Sequence, residues 1–210
     1  MEYNFTEISK KVRSDIDKLD GNRESILSNK REIIRRCSDI IKKIHRNELD
    51  SIEEKINTTG KMIREQEETA RKVATRIGKN YINDIKQEYT EAVVFYKIVV
   101  DKPIPDHNDL RVNAYEYIMG LADVMGELKR LVLNKIRNND FENAERFYNI
   151  MEDLQQFLFS LDYPSGLLPG FRHKVDIARN IIRKTVEIMT TAKSNYELNQ
   201  NLKKALETEK

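Results

Sequence analysis

A single cysteine, Cys37, leaves no partner within the chain for a disulfide, and a reduced environment is the expectation. There is no tryptophan, and seven glycines and four prolines in 210 residues are too few turn formers for the hairpins of a sandwich or barrel. No apolar run approaches the ~18 residues of a membrane span, and the opening MEYNFTEISKK lacks the apolar segment of a secretory signal. A cytoplasmic protein without a membrane partner is therefore expected. The net charge of +2 is far from the strongly basic balance that announces a nucleic-acid binder. His45, His107 and His173 stand in no HExxH or Glu-x-x-His spacing, so zinc-protease and ferritin-like di-iron chemistry lack their ligands. No glycine-rich phosphate loop occurs, and Cys37 has no evident neighbouring base for thiol chemistry.

What the chain has in quantity is helical periodicity and charge, 34% of its residues being Asp, Glu, Lys or Arg. Phe5, Ile8, Val12, Ile16 and Leu19 predict a first helix, with Asp20, Gly21 and Asn22 as its end. A second runs from Asn22 to about Arg46. A polar helix follows over Leu49 to Glu68, with Thr58, Thr59 and Gly60 as a weak point, then a basic stretch with Arg71, Lys72, Arg76 and Lys79. Further helices are predicted from near Tyr81 to before Pro103, from Asn113 to Asn138, from Asp140 to about Leu161, and from Phe171 to about Ala192. Ile104 to Leu110 and Asp162 to Gly170 read as loops. The fold class is all-α: one domain of about seven helices over 1–192, with 193–210 as a frayed or disordered tail.

Two places in this pattern carry paired carboxylates. Glu88 and Glu91 stand three residues apart, and Asp123 and Glu127 four, so the pairs subtend ~60° and ~40° of their helices and each shares one face. Four carboxylates at one locus cannot all ionise cheaply without a cation among them, which is the donor set of a divalent-metal site. The same spacings also describe the solvated stripe of an amphipathic helix: Glu116, Asp123, Glu127, Arg130 and Asn134 recur in that way. Two features favour a site. After Glu91 the chain reads AVVFYKIVV, apolar nearly all round, with Phe95 and Ile98 continuing the acids' face. Gly120 and Gly126 lie inside the later helix, where close approach of a neighbouring backbone would offset their cost of ~1 kcal/mol each.

Basic residues gather elsewhere. Between Arg23 and Arg46 eight cations face three carboxylates, a local charge of +5, and Arg31, Arg35, Lys42 and Arg46 fall within ~60° of one another. Such a strip can track a phosphate backbone, and it is equally an ordinary solvated face.

The stretch Tyr117 to Asp140, YIMGLADVMGELKRLVLNKIRNND, resembles the translin family, and within it the branch of translin-associated factor X. An aromatic-rich helix start, a G-x-A-D-x-x-GEL-x-R core, an N-D turn and a further amphipathic helix occur in order, and FRHKVDIARNIIRKTVEIM, Phe171 to Met189, resembles the family's basic closing helix. The likeness runs from about Leu27 to Ala192, more specifically after Tyr81. It implies an all-helical subunit of a hollow homo-octamer that binds RNA or single-stranded DNA. The patterns E-Y-x-E-A and D-x-x-G-E, met at Glu88, Glu91, Asp123 and Glu127, imply the catalytic, magnesium-binding acids of an endoribonuclease, with Mn²⁺ as the alternative ion. In that role the ion polarises the scissile phosphate and activates a water for in-line attack. The chain lacks the insertion that eukaryotic factor X proteins carry between the acidic helices, as a self-assembling member would. Translin itself departs at most of the four positions, and a non-catalytic nucleic-acid binder is the alternative.

Overall fold

Apolar residues recurring every seventh position, Phe5, Val12, Leu19, Ile26, Ile33 and Ile40, keep register along one uninterrupted helix, α1 (Phe5–His45). The computed structural model describes residues 4–72 and 76–208, excluding the side chains at 69, 71, 72, 76–81 and 208. The basic stretch Arg71, Lys72, Arg76 and Lys79 thus lies outside the described side chains. Five further helices follow, α2 (Ile52–Lys72), α3 (Arg76–Val99), α4 (Ala114–Arg137), α5 (Phe141–Ser160) and α6 (Phe171–Thr208), and no strand occurs among the described residues. None of these helices is long and apolar enough to cross a membrane.

Six described helices replace the seven expected because the break at Asp20, Gly21 and Asn22 does not form. A Cβ at Gly21 would meet nothing within 4 Å, so the glycine costs propensity without inviting a turn. The weak point at Thr58 to Gly60 is likewise absent. The Thr58 and Thr59 hydroxyls donate to the carbonyls of Glu54 and Lys55 at 2.9 and 2.7 Å, and α2 runs straight through. Gly60 serves packing instead. A Cβ there would lie 2.6 Å from the Tyr89 hydroxyl oxygen, so only glycine lets that ring close onto α2. At the other end, α6 continues to Thr208 rather than stopping near Ala192, with Leu198, Leu202 and Leu206 exposed at four-residue spacing.

The helices stop where the chain supplies asparagine or aspartate in the left-handed region. Asn47, Asp101 and Asn139 adopt φ of 59°, 55° and 58°. Each ends its helix with paired bonds back into the last turn, as in Asn139 N–H to Ile136 and Asp140 N–H to Lys135, both 2.9 Å. Starts are equally legible. Asn113 and Glu116 exchange side-chain and backbone bonds at 2.8 Å as a capping box, and the Asp140 carboxylate accepts from Asn143 N–H at 3.3 Å.

The chain separates into two units, Met1–Glu116 and Tyr117–Lys210. In the first, α1, α2 and α3 pack on one another. Ile33, Cys37, Ile40, Ile52, Ile85, Val94 and Phe95 are buried, and Lys86 lies buried between Glu67 at 3.2 Å and Glu116 at 3.7 Å. Burial holds the Glu116 carboxyl above its usual range, while the bond from Asn113 and the Lys86 charge oppose that rise. In the second unit α5 lies along α6, with Phe147, Met151, Leu158, Phe171, Ala178 and Ile182 buried.

Candidate functional site

Each unit holds one of the acid pairs. Glu88 and Glu91 sit on α3 where it enters its most buried stretch, Tyr89 to Tyr96, every residue of which is buried. Glu91 is 9% exposed and Glu88 half-buried. The expectation that these carboxylates are not fully solvated is met, and Phe95 and Ile98 on the same face are buried as well. The pair looks onto α1. Burial pushes the Cys37 thiol up to about 12, and the negative charges of Glu88 and Glu91 add to the rise. A thiol in that setting stays protonated and unreactive, in keeping with the lack of a base near it in sequence.

Asp123 and Glu127 lie on α4 among Ala122, Val124, Met125 and Leu128, all buried, and are themselves half-buried. Both have cationic company. The Lys174 ammonium on α6 donates to the two Asp123 carboxylate oxygens at 2.5 Å and to the Met119 carbonyl at 3.3 Å. Arg130 approaches Glu127 to 3.7 Å on the same helix. Close approach at Gly126 does not occur, since a Cβ there would meet nothing within 4 Å.

The structure thus brings together Glu88 with Glu91, and Asp123 with Glu127. Among the described residues no three His, Cys, Asp or Glu side chains form a group able to hold a metal ion. Carboxylate oxygens are the ligand type that hard divalent cations such as Mg²⁺ take; Glu91 is 9% exposed and Asp123 is already clasped by the Lys174 ammonium.

The basic strip is exposed. Arg31, Arg35 and Lys42 on α1 and Arg46 at its C-cap all face solvent. Arg35 bonds to Glu32, Arg31 Nε donates to the Leu27 carbonyl at 3.4 Å, and Arg46 stands 4.0 Å from Glu48.

Lys174 is the residue that sequence reasoning missed. In sequence it is one more cation of a basic closing helix, yet Phe171, Ala178, Ile182 and Thr185, at helical spacing from it, are the buried stripe of α6. A lysine on an apolar stripe calls for an acid opposite, and Asp123 is that acid.

An all-helical subunit with acids paired on two of its helices is the class these features define. Residues 21–190 match the Translin family profile. An uncharacterized protein of Methanocaldococcus jannaschii, MJ0175, is 36% identical over 187 residues, 88% of this chain and 82% of that relative. The crystal structure of AfC3PO is similar at a TM-score of 0.77 and 29% identity, over 89% of this chain and 97% of that one. The structure of AfC3PO with duplex RNA gives 0.78 and 28%, over 89% and 96%. The crystal structure of apo-NeC3PO, at 0.78 and 21% over 91% and 98%, shares the fold. The chain belongs to the Translin family.

Proposed function

We propose that this protein binds RNA and cleaves it as a Mg²⁺-dependent endoribonuclease of the translin-associated factor X type. The observation that carries the reading is the setting of Glu88 and Glu91. A carboxylate 9% exposed in an apolar helix is costly as a solvated stripe and useful as an ion's ligand. RNA as the substrate class is supported by the relative AfC3PO, solved with duplex RNA and 28% identical to this chain.

Glu88, Glu91, Asp123 and Glu127 would hold the ion, and the reading requires both pairs to serve the same one. When bound, Mg²⁺ supplies Lewis-acid polarisation of a phosphoryl oxygen. The chain's own residues do the rest. The apolar surroundings of Glu91 restrict water and strengthen its charge, while Lys174 fixes the orientation of Asp123. Arg31, Arg35, Lys42 and Arg46 offer exposed cations to the phosphates of RNA or single-stranded DNA without reading bases.

The protein assembles, in this proposal, as a homo-octamer. Support comes from apolar surface left uncovered. Residues 4–25 of α1 are exposed throughout, and Phe5, Ile8, Val12, Ile16 and Leu19 form an open stripe. The Phe147 to Leu161 stripe on α5 is largely covered, although Phe157 is exposed. Light scattering at micromolar concentration should give an assembly of eight chains; a monomer would remove it.

Cleavage of a labelled RNA with Mg²⁺, and its loss on chelation, tests the catalytic reading. RNA retained but never cut would make the protein a binding module of the translin type.

A further inference from the structure

The first half of α1 differs from the second in what happens to its apolar stripe. Ile26, Ile33, Ile40 and Ile44 are buried, in a helix that packs on α2 and α3. Before Ile26 the stripe continues in the open: Phe5, Ile8, Val12, Ile16 and Leu19 are 69%, 57%, 51%, 56% and 44% exposed. These five span ~21 Å of helix.

Their order has a symmetry that a merely amphipathic stripe does not need. The spacings are three, four, four and three, the same in either direction, with Val12 at the centre. Laid antiparallel on a second copy about a two-fold axis at Val12, the segment sets Val12 on Val12, Ile8 on Ile16 and Phe5 on Leu19. No apolar position is left unmatched. Charge follows the same symmetry along one edge of the stripe, where Glu7, Lys11, Asp15 and Lys18 lie. The two-fold brings Glu7 beside Lys18 of the second copy and Lys11 beside its Asp15, four opposite-charge pairs in all. In the subunit these side chains are exposed and pair along the helix, Lys11 with Glu7 at 3.5 Å and Lys18 with Asp15 at 3.8 Å. Near the axis Lys11 and Arg13 each approach their own copies. Asp15 offsets the first, and Arg13 is the one like-charge contact that the seam leaves unbalanced.

Resting on the homo-octamer proposed above, we propose that residues 5–19 of α1 pair antiparallel with the same residues of a second copy, about a two-fold axis at Val12. Five apolar positions per copy are fewer than the ~20–30 residues a side of a free-standing interface. The seam is therefore one contact of the larger assembly, joining its chains in twos.

The full-length protein carrying both Ile8→Cys and Ile16→Cys, mildly oxidised and mapped by mass spectrometry, tests the arrangement. Both positions are more than half exposed, so the subunit should fold with either change, and Cys37 is buried away from the reaction. Positions 8 and 16 lie ~12 Å apart on one helix, too far for a bond within the chain. The expected product is a covalent dimer with position 8 of one chain joined to position 16 of the other. Val12→Cys alone should also give a dimer, and Leu19→Cys alone at least tenfold less of one. Position 8 joined to position 8 means parallel pairing and overturns the proposal. Preferential joining to Leu202→Cys, on the exposed stripe of α6, overturns it by giving the seam another occupant. No dimer from any variant, with light scattering still counting eight chains, overturns the pairing and leaves the octamer standing. Light scattering that reports a monomer overturns both.

Discussion

The two acid pairs are alike in sequence and unlike in setting. Glu91 sits in a stretch of α3 buried on all sides and half-buried Glu88 just before it, with a protonated thiol, Cys37, facing them from α1. Asp123 and Glu127 sit on a comparably apolar helix but meet cations, Lys174 at 2.5 Å and Arg130 at 3.7 Å. The first pair lies in the more buried surroundings, and Asp123 of the second is held by an ammonium. Spacing alone says which acids share a face. The opposing helix decides what their charge costs.

If both pairs serve one ion, function should fail at either. Glu91→Gln and Asp123→Asn should each lower Mg²⁺-dependent RNA cleavage about a hundredfold or more while leaving RNA binding largely intact, as read from a cleavage time course and a filter-binding isotherm. Loss at one pair and not the other would break the comparison in its functional half.

Stability without metal should fall at Asp123. From sequence, relief of repulsion among four acids predicts unchanged or raised melting for Asp123→Asn. The Lys174 contact reverses that sign, because an amide leaves a half-buried ammonium without its counter-charge, at a cost of about 1–2 kcal/mol. Thermal denaturation in chelator measures the shift, and unchanged or raised melting would contradict the balancing of Asp123 by Lys174.

A third test uses the thiol. Above pH 9 the unfolded chain gives up the Cys37 proton, and the folded chain keeps it until about 12. Stability contributed by the neutral buried thiol is thus intact below pH 9 and declines as pH rises through that window, by about 1.4 kcal/mol per pH unit. Denaturant unfolding of wild type against Cys37→Ala isolates this slope from the tyrosines and lysines that titrate nearby. Identical pH dependence in the two proteins would show that the fold does not raise the thiol. The smallest effect concerns the strip on α1: replacing Arg35 and Lys42 with Ala should flatten the log-log salt dependence of RNA affinity by roughly one unit per lost contact. An unchanged slope would return the strip to an ordinary solvated face.

Much of this was readable from spacing. The caps at Asn113 and Asp140, the stretch following Glu91 and the loops at 104–110 and 162–170 stand where propensity and patterning put them, since local chemistry decides such features. The misreadings share one cause. Asp20, Gly21, Asn22 and the Thr-Thr-Gly of α2 are turn formers by composition. Yet the seven-residue register through Leu19 and Ile26, and the Gly60 seat for Tyr89, show side-chain periodicity overriding them. Past Ala192, α6 runs on to Thr208 with Leu198, Leu202 and Leu206 exposed at helical spacing. At the candidate site, one sequence position could have revealed the missing partner. Lys174 lies on the buried stripe of its helix, and a charge there is a signal that the opposing helix answers it.

The central claim, that two differently prepared pairs hold a single ion, is tested most directly by Mn²⁺ binding to wild type, Glu91→Gln, Asp123→Asn and the double variant. One shared ion predicts that either substitution alone weakens binding at least tenfold and that the double variant loses little more than the worse single one. Losses that add in full, or an affinity that responds to only one of the pairs, would contradict it.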